Sequence, residues 1–155
     1  MAYKRTSIAA MVMSATVLVG IAVHEGYRGE AYTPVPGDVP TIGFGTTSGV
    51  KPGQKTTPER ALIALLKEAE EKKGAIQKCV KVPLYQHELD AYVSLSYNIG
   101  SAAFCGSTLV KKLNQEDYAG ACDEIKRWDK FKGKPLAGLT KRRAEEHRLC
   151  TGGEG

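Results

Sequence analysis

The sequence predicts an α+β fold, mainly helical, with one short β-hairpin in a small lobe and a long helix leading to a larger helical lobe. Three observations predict it. Residues 33–47 are crowded with Pro34, Pro36, Gly37 and Pro40 and end in T-I-G-F-G, which reads as short strands joined by tight turns. Thr57-Pro58-Glu59 is a helix start, with Thr as cap, Pro in the first turn and a carboxylate on the positive helix end. Beyond Pro83 the apolar spacing is helical to the end of the chain.

Taken in order, the chain opens on Lys4 and Arg5, and no charge follows from Thr6 to Val23. As a helix those residues would span about 27 Å at ~1.5 Å per residue, the shortest kind of bilayer crossing. Lys4 and Arg5 would keep the N-terminus inside. The run is weakly apolar, with Ser7, Ser14, Thr16 and Gly20 in it and one leucine, Leu18. A cleaved signal peptide needs a small-residue cleavage site, and none stands out. A buried core helix is the plain alternative. The expected division is 1–23 as an N-terminal anchor helix and 24–155 as the main domain.

After the hairpin, residues 48–55 form a polar loop. The helix begun at Pro58 runs through A-L-I-A-L-L-K-E-A-E-E-K-K and stops near Gly74 or a turn later. Leu89, Tyr92, Val93, Ser96 and Tyr97 share a helical face read as core, with Gly100 as the stop. Ser107 is read as the cap of a short helix to Leu113. Another helix spans Asp117 to Trp128 with Ala119, Cys122 and Ile125 inward, and a last one spans Thr140 to Cys150. Residues 151–155 read as a frayed tail.

At 155 residues the chain suits one compact domain with its own core. Net charge is +5, from 22 Lys and Arg against 17 Asp and Glu, with much of the excess after residue 125. A basic face favours polyanions; no nucleic-acid motif accompanies it, an anionic cell envelope suits the charge as well, and a solvated basic surface is the plain alternative. The four cysteines form no C-x-x-C and the three histidines are scattered, which points away from zinc. An even count behind an export-type N-terminus points to two disulfides. Of the three possible pairings, Cys105–Cys122 would join two short neighbouring helices. Cys79–Cys150 would then tie the end of the long helix to the last one.

The chemistry gathers between His24 and Thr47. Glu25 ends the apolar run, and burial disfavours the charged form of a carboxylate, which suits a proton donor. E-G-Y-R-G-E-A-Y followed by P-T-I-G-F-G resembles the catalytic signature of the phage-type lysozymes, glycoside hydrolase family 24, on Glu25, Gly26, Arg28, Tyr32, Thr41, Ile42, Gly43 and Gly45. Later stretches agree, from Val82 to Gly100, Ala103 to Leu109 and Pro135 to Arg143. The uncharged run before Glu25 is similar to the signal-arrest-release segment of certain endolysins.

The resemblance implies an inverting N-acetylmuramidase that cuts the β-1,4 bond between N-acetylmuramic acid and N-acetylglucosamine in peptidoglycan, for host lysis. It implies Glu25 as general acid, Thr41 beside the attacking water, and Arg143 or its neighbour Arg142 paired with the acid. The second carboxylate departs from the pattern. Pro34 stands where an Asp is usual, so Asp38, the only acidic residue of the hairpin, is expected in that role. Thr46 stands where a histidine is usual, so an ion pair of the family is expected to be missing. No cofactor, no metal and no nucleic acid are expected. The expected protein is a monomer, exported to the periplasm, held transiently in the inner membrane by residues 6–23 and then released. The competing readings are a membrane-tethered, non-catalytic wall-binding module and a basic membrane-disrupting protein.

Overall fold

The computed structural model describes residues 3–153. Seven helices are described: α1 (Ala15–Glu25), α2 (Pro58–Cys79), α3 (Gln86–Ile99), α4 (Ser101–Cys105), α5 (Thr108–Asn114), α6 (Tyr118–Glu124) and α7 (Ala137–Cys150). Strands β1 (Arg28–Tyr32) and β2 (Thr41–Gly43) pair antiparallel, with Arg28 opposite Gly43 and Tyr32 opposite Thr41. The Glu30–Lys55 bridge adds a third edge to this small lobe. A second, minimal hairpin joins β3 (Lys130–Phe131) to β4 (Lys134–Pro135), which sequence reading had not separated from the helices around it.

α3 is the centre of the larger lobe. Leu89, Ala91, Tyr92, Val93 and Leu95 are fully buried, and α1, α2, α4 and α7 all pack on it. A helix buried on nearly every side belongs at the middle of a core. Gly100 ends it with φ +91°, as its position in the sequence suggested. α2 begins where expected, with Thr57 Oγ1 accepting the Arg60 N–H at 3.3 Å. It continues through Gly74 to Cys79 and links the lobes.

The uncharged N-terminal run folds as part of the larger lobe. It is not one 18-residue helix: a 3₁₀ turn covers Ile8–Ala10, an extended link follows, and Ser14 caps α1 by accepting the Val17 N–H. Ile8, Met11, Val17 and Ile21 enter the core. Thr6 and Leu84 exchange backbone hydrogen bonds at 2.8 and 2.9 Å, and Arg5 forms an ion pair with buried Glu88 at 2.8 Å. Ser14 Oγ donates to Asp90 at 2.6 Å. No helix among the described residues is long and apolar enough to cross a membrane.

Three expectations are corrected here. The disulfides are Cys79–Cys105 and Cys122–Cys150, each with Cα atoms 5.7 Å apart, a separation suited to a bridge. Neighbours along the chain had been taken for neighbours in space. α5 intervenes between α4 and α6, while α4 folds back on α2 and α6 lies on α7. Ala119 is exposed, and Ala121 takes the inward place on α6, which gives way to a 3₁₀ turn at Ile125–Arg127. Residues 151–153 are not frayed: Thr151, Gly152 and Gly153 donate backbone hydrogen bonds to His147, Leu149 and Arg148. Residues 154 and 155 lie outside the described residues.

Each bridge closes a loop of moderate length (sequence separations 26 and 28). Replacing either pair by serine is expected to lower unfolding stability by about 2–4 kcal/mol, measured by urea unfolding. Non-reducing peptide maps are expected to contain Cys79–Cys105 and Cys122–Cys150 peptides.

Candidate active site

Glu25 is the last residue of α1. It lies one turn beyond Ile21, which is fully buried, so its side chain leaves the helix on the inward face. Gly26 ends the helix at φ +69° and gives its N–H to Ala22, turning the chain at once into β1. The Glu25 carboxylate therefore stands where the small lobe meets the larger one, and its side chain keeps 21% of its exposure.

Two elements confine it. From α7, Arg142 Nη1 donates to Glu25 Oε1 at 2.9 Å. From the small lobe, the turn after β2 lies against the other oxygen: a Cβ on Gly45 would come within 3.0 Å of Glu25 Oε2, and Gly45 has φ +85°. Gly43 is equally constrained, since a Cβ there would meet the Ala61 Cβ of α2 at 2.9 Å. The two glycines of G-F-G thus bring backbone up to the carboxylate on one side and to α2 on the other.

Of the two candidate arginines, Arg142 is the one that reaches Glu25. Adjacent helical residues point about 100° apart, so both could not face it. Arg143 is buried on the other side. It donates to Asn98 Oδ1 at 2.8 Å, to the Trp128 carbonyl at 3.4 Å and to Glu146 Oε1 at 3.0 Å. Glu146 also accepts from Ser94 Oγ at 2.7 Å and lies 3.4 Å from Arg142 Nε. Burial pushes the Glu146 carboxyl above its usual range, opposed by Arg143, Ser94 and Arg142. Burial also lowers the Arg143 pKa, opposed mainly by Glu146. A guanidinium cannot lose its proton in a protein, so Arg143 stays charged and holds its neighbours.

Thr41 is buried at the start of β2, and its hydroxyl donates to the Val39 carbonyl at 3.3 Å. Asp38 lies on the exposed turn before it. Its N–H goes to the Val35 carbonyl at 2.9 Å and its carboxylate accepts the Val39 N–H at 2.8 Å. Among the described residues no hydrogen bond or ion pair joins Asp38 or Thr41 to Glu25. Sequence reasoning placed Tyr97 in the core and overlooked its hydroxyl, which lies 3.1 Å from the Phe44 carbonyl and 3.0 Å from Glu68 Oε2. Glu146 and Asn98 were missed as well, because nothing in a single sequence marks which charges of a helix turn inward. Among the described residues, no group of three His, Cys, Asp or Glu side chains is placed to hold a metal.

The Glu25 carboxyl thus stands between the two lobes, held by an arginine on one side and walled by backbone on the other. Residues 22–146 match the family described as phage lysozyme. The chain belongs to the phage lysozyme family. It is a glycoside hydrolase, a muramidase that degrades peptidoglycan. It is 42% identical to an endolysin of Acyrthosiphon pisum secondary endosymbiont phage 1, covering 90% of this chain and 97% of that one. It is 34% identical to a SAR-endolysin of Pseudomonas phage phiKMV, over 88% of this chain and 86% of the relative. Among solved structures it resembles the muramidase domain of SpmX from Asticaccaulis excentricus, at 31% identity and a TM-score of 0.83, covering 90% of this chain and 97% of that one. In this phage lysozyme, Glu25 and the Gly43–Gly45 turn of the signature lie together where the lobes meet.

Proposed function

We propose that Glu25 is the general acid of an inverting cleavage, with Arg142 orienting it and with Asp38 and Thr41 on the side of the attacking water. The observation that carries this reading is the Glu25 carboxylate held at 2.9 Å by Arg142 while the Gly45 backbone closes on its other oxygen. Glu25 gives its proton to the glycosidic oxygen as the bond to the anomeric carbon breaks. Water adds to that carbon from the opposite face and loses a proton to a base. β2 carries Thr41 and the turn before it carries Asp38, and inversion needs room for a water between acid and base. Thr41→Ala and Asp38→Asn are each expected to lower turnover by roughly 10- to 100-fold with little change in unfolding midpoint, measured on purified peptidoglycan. A silent Asp38→Asn would remove Asp38 from the water side.

The enzyme acts as a monomer on peptidoglycan in the host periplasm, needs no cofactor and takes no nucleic acid partner. Residues 1–23 first hold it in the inner membrane, and residues 24–155 carry the catalytic chemistry. Support comes from the uncharged run from Thr6 to Val23 and from SAR-endolysin relatives. Val12, Val19 and Val23 also remain exposed in the folded form, apolar side chains that the core does not use. Released, the same run folds as the 3₁₀ turn and α1. Ser14→Leu with Gly20→Leu strengthens the anchor and is expected to leave the protein in the membrane fraction, with host lysis abolished. Recovery of that variant as an active soluble protein would defeat the anchoring model.

A further inference from the structure

Gly43, Phe44 and Gly45 form the tip of a tight turn closed by paired backbone hydrogen bonds between Ile42 and Thr46, at 2.9 and 3.0 Å. This tip is the wall beside Glu25 Oε2. Thr46 adds no side-chain support, since its buried hydroxyl has no partner among the described residues. The Phe44 ring packs 5.5 Å from that of Tyr27 and also against the hydrophobic core of the larger lobe. The one side chain outside the small lobe that hydrogen-bonds to the tip, among the described residues, is that of Tyr97. Its hydroxyl lies 3.1 Å from the Phe44 carbonyl and 3.0 Å from Glu68 Oε2 on α2. α3, α2 and the β2 turn therefore meet at one oxygen.

We propose that Tyr97 is a positioning residue of the cleavage reaction: its hydroxyl, whose one proton is shared between the Phe44 carbonyl and Glu68 Oε2, ties the Gly43–Gly45 turn to α2 and α3 and so holds it against Glu25. The inference rests on Glu25 being the acid. Tyr97 is suited to the task because burial, reinforced by Glu68, raises its pKa, so the phenol keeps its proton and remains a donor. Its ring is anchored in α3, the most buried helix, so the hydroxyl is a fixed point. The turn's two glycines are at positive φ and offer no side chain, so beside the packing of Phe44 the Tyr97 hydroxyl gives the one side-chain hydrogen bond that the tip receives from outside the small lobe, among the described residues. Without the hydroxyl the tip loses that tie to α2 and α3 and moves more readily away from Glu25, admitting water beside the acid. A shift of this kind acts on the chemical step more than on substrate binding.

The test compares wild type, Tyr97→Phe, Glu68→Ala, Glu68→Gln and the Tyr97→Phe/Glu68→Ala double variant on solubilised, dye-labelled peptidoglycan, with Glu25→Gln alongside. Tyr97→Phe is expected to lower kcat about tenfold with KM within about twofold. Glu68→Ala is expected to lose less, Glu68→Gln to recover most of that loss, and the double variant to be no worse than Tyr97→Phe, since coupled residues are non-additive. Amide exchange at Ile42 and Thr46 is expected to quicken in Tyr97→Phe while α3 stays protected. An unchanged kcat, additive losses, or faster exchange throughout α3 would overturn the proposal. If Tyr97→Phe does not fold, the Glu68 pair decides: loss with alanine and recovery with glutamine supports it, and an unchanged kcat in Glu68→Ala overturns it. Full activity in Glu25→Gln would instead show that the underlying assignment of the acid had failed, and the proposal would fall with it.

Discussion

Glu25→Gln is expected to fold like the wild type and to lose roughly 10²–10⁴-fold in turnover. The amide has the size of the acid and keeps an oxygen that can accept from Arg142 Nη1, now 2.9 Å from Oε1. It also fits beside Gly45, where the lack of a Cβ leaves room for the Oε2 position. What it cannot do is release a proton to the leaving oxygen. The loss should therefore appear in kcat, with the unfolding midpoint nearly unmoved. Arg142 would not be stranded, because Glu146 remains 3.4 Å from its Nε. A variant as active as wild type on purified peptidoglycan would transfer the acid role elsewhere.

Deleting residues 1–23 is expected to have an equally large effect by a different route. Ile8, Met11, Val17 and Ile21 are buried in the core of the larger lobe. Burying side chains of this size contributes about 1.5–3 kcal/mol each, and a domain of this kind has about 5–15 kcal/mol of net stability. Removing four is a loss comparable to the whole. The deletion also strips Arg5 from Glu88 and Ser14 from Asp90, which leaves two buried carboxylates on α3 without those partners. The truncated chain should be unfolded or nearly so by circular dichroism, and inactive at any concentration. The same arithmetic bears on control. While residues 6–23 lie in a bilayer, the domain lacks those four side chains and α1 cannot deliver Glu25 to Arg142. A full-length chain in the membrane is then inactive for the reason that the truncated chain is. A truncated protein with native helicity and full activity would mean that the segment is an address and nothing more.

Much of this was legible in the sequence, for identifiable reasons. Capping chemistry is local, so Thr57 and Ser107 were found as N-caps and Gly100 as a C-terminal stop. The hairpin was visible because proline and glycine restrict the backbone directly. The catalytic signature was visible because it fills one short stretch. Disulfide pairing was not, because it depends on how α4 and α6 are folded back, and helix lengths do not encode that. The choice between Arg142 and Arg143 depended on the rotation of α7 about its axis, and a helix of mixed charge hides its inward face. Tyr97 was hidden for a related reason: a buried aromatic at helical spacing signals core, and its hydroxyl becomes informative only when a distant carbonyl is seen beside it. The uncharged N-terminal run carried two meanings at once, a membrane span and a set of core positions. The folded chain uses the second through Ile8, Met11, Val17 and Ile21.

The bond that is cut, and how, is tested most directly by the products. Peptidoglycan digested by the wild type, reduced with borohydride and analysed by mass spectrometry, is expected to yield fragments ending in reduced N-acetylmuramic acid, carrying the added water. Fragments ending in 1,6-anhydro-muramic acid would show cleavage without water, and fragments ending in reduced N-acetylglucosamine would show the other glycosidic bond being cut. Either result would contradict a hydrolytic muramidase with Glu25 as its acid.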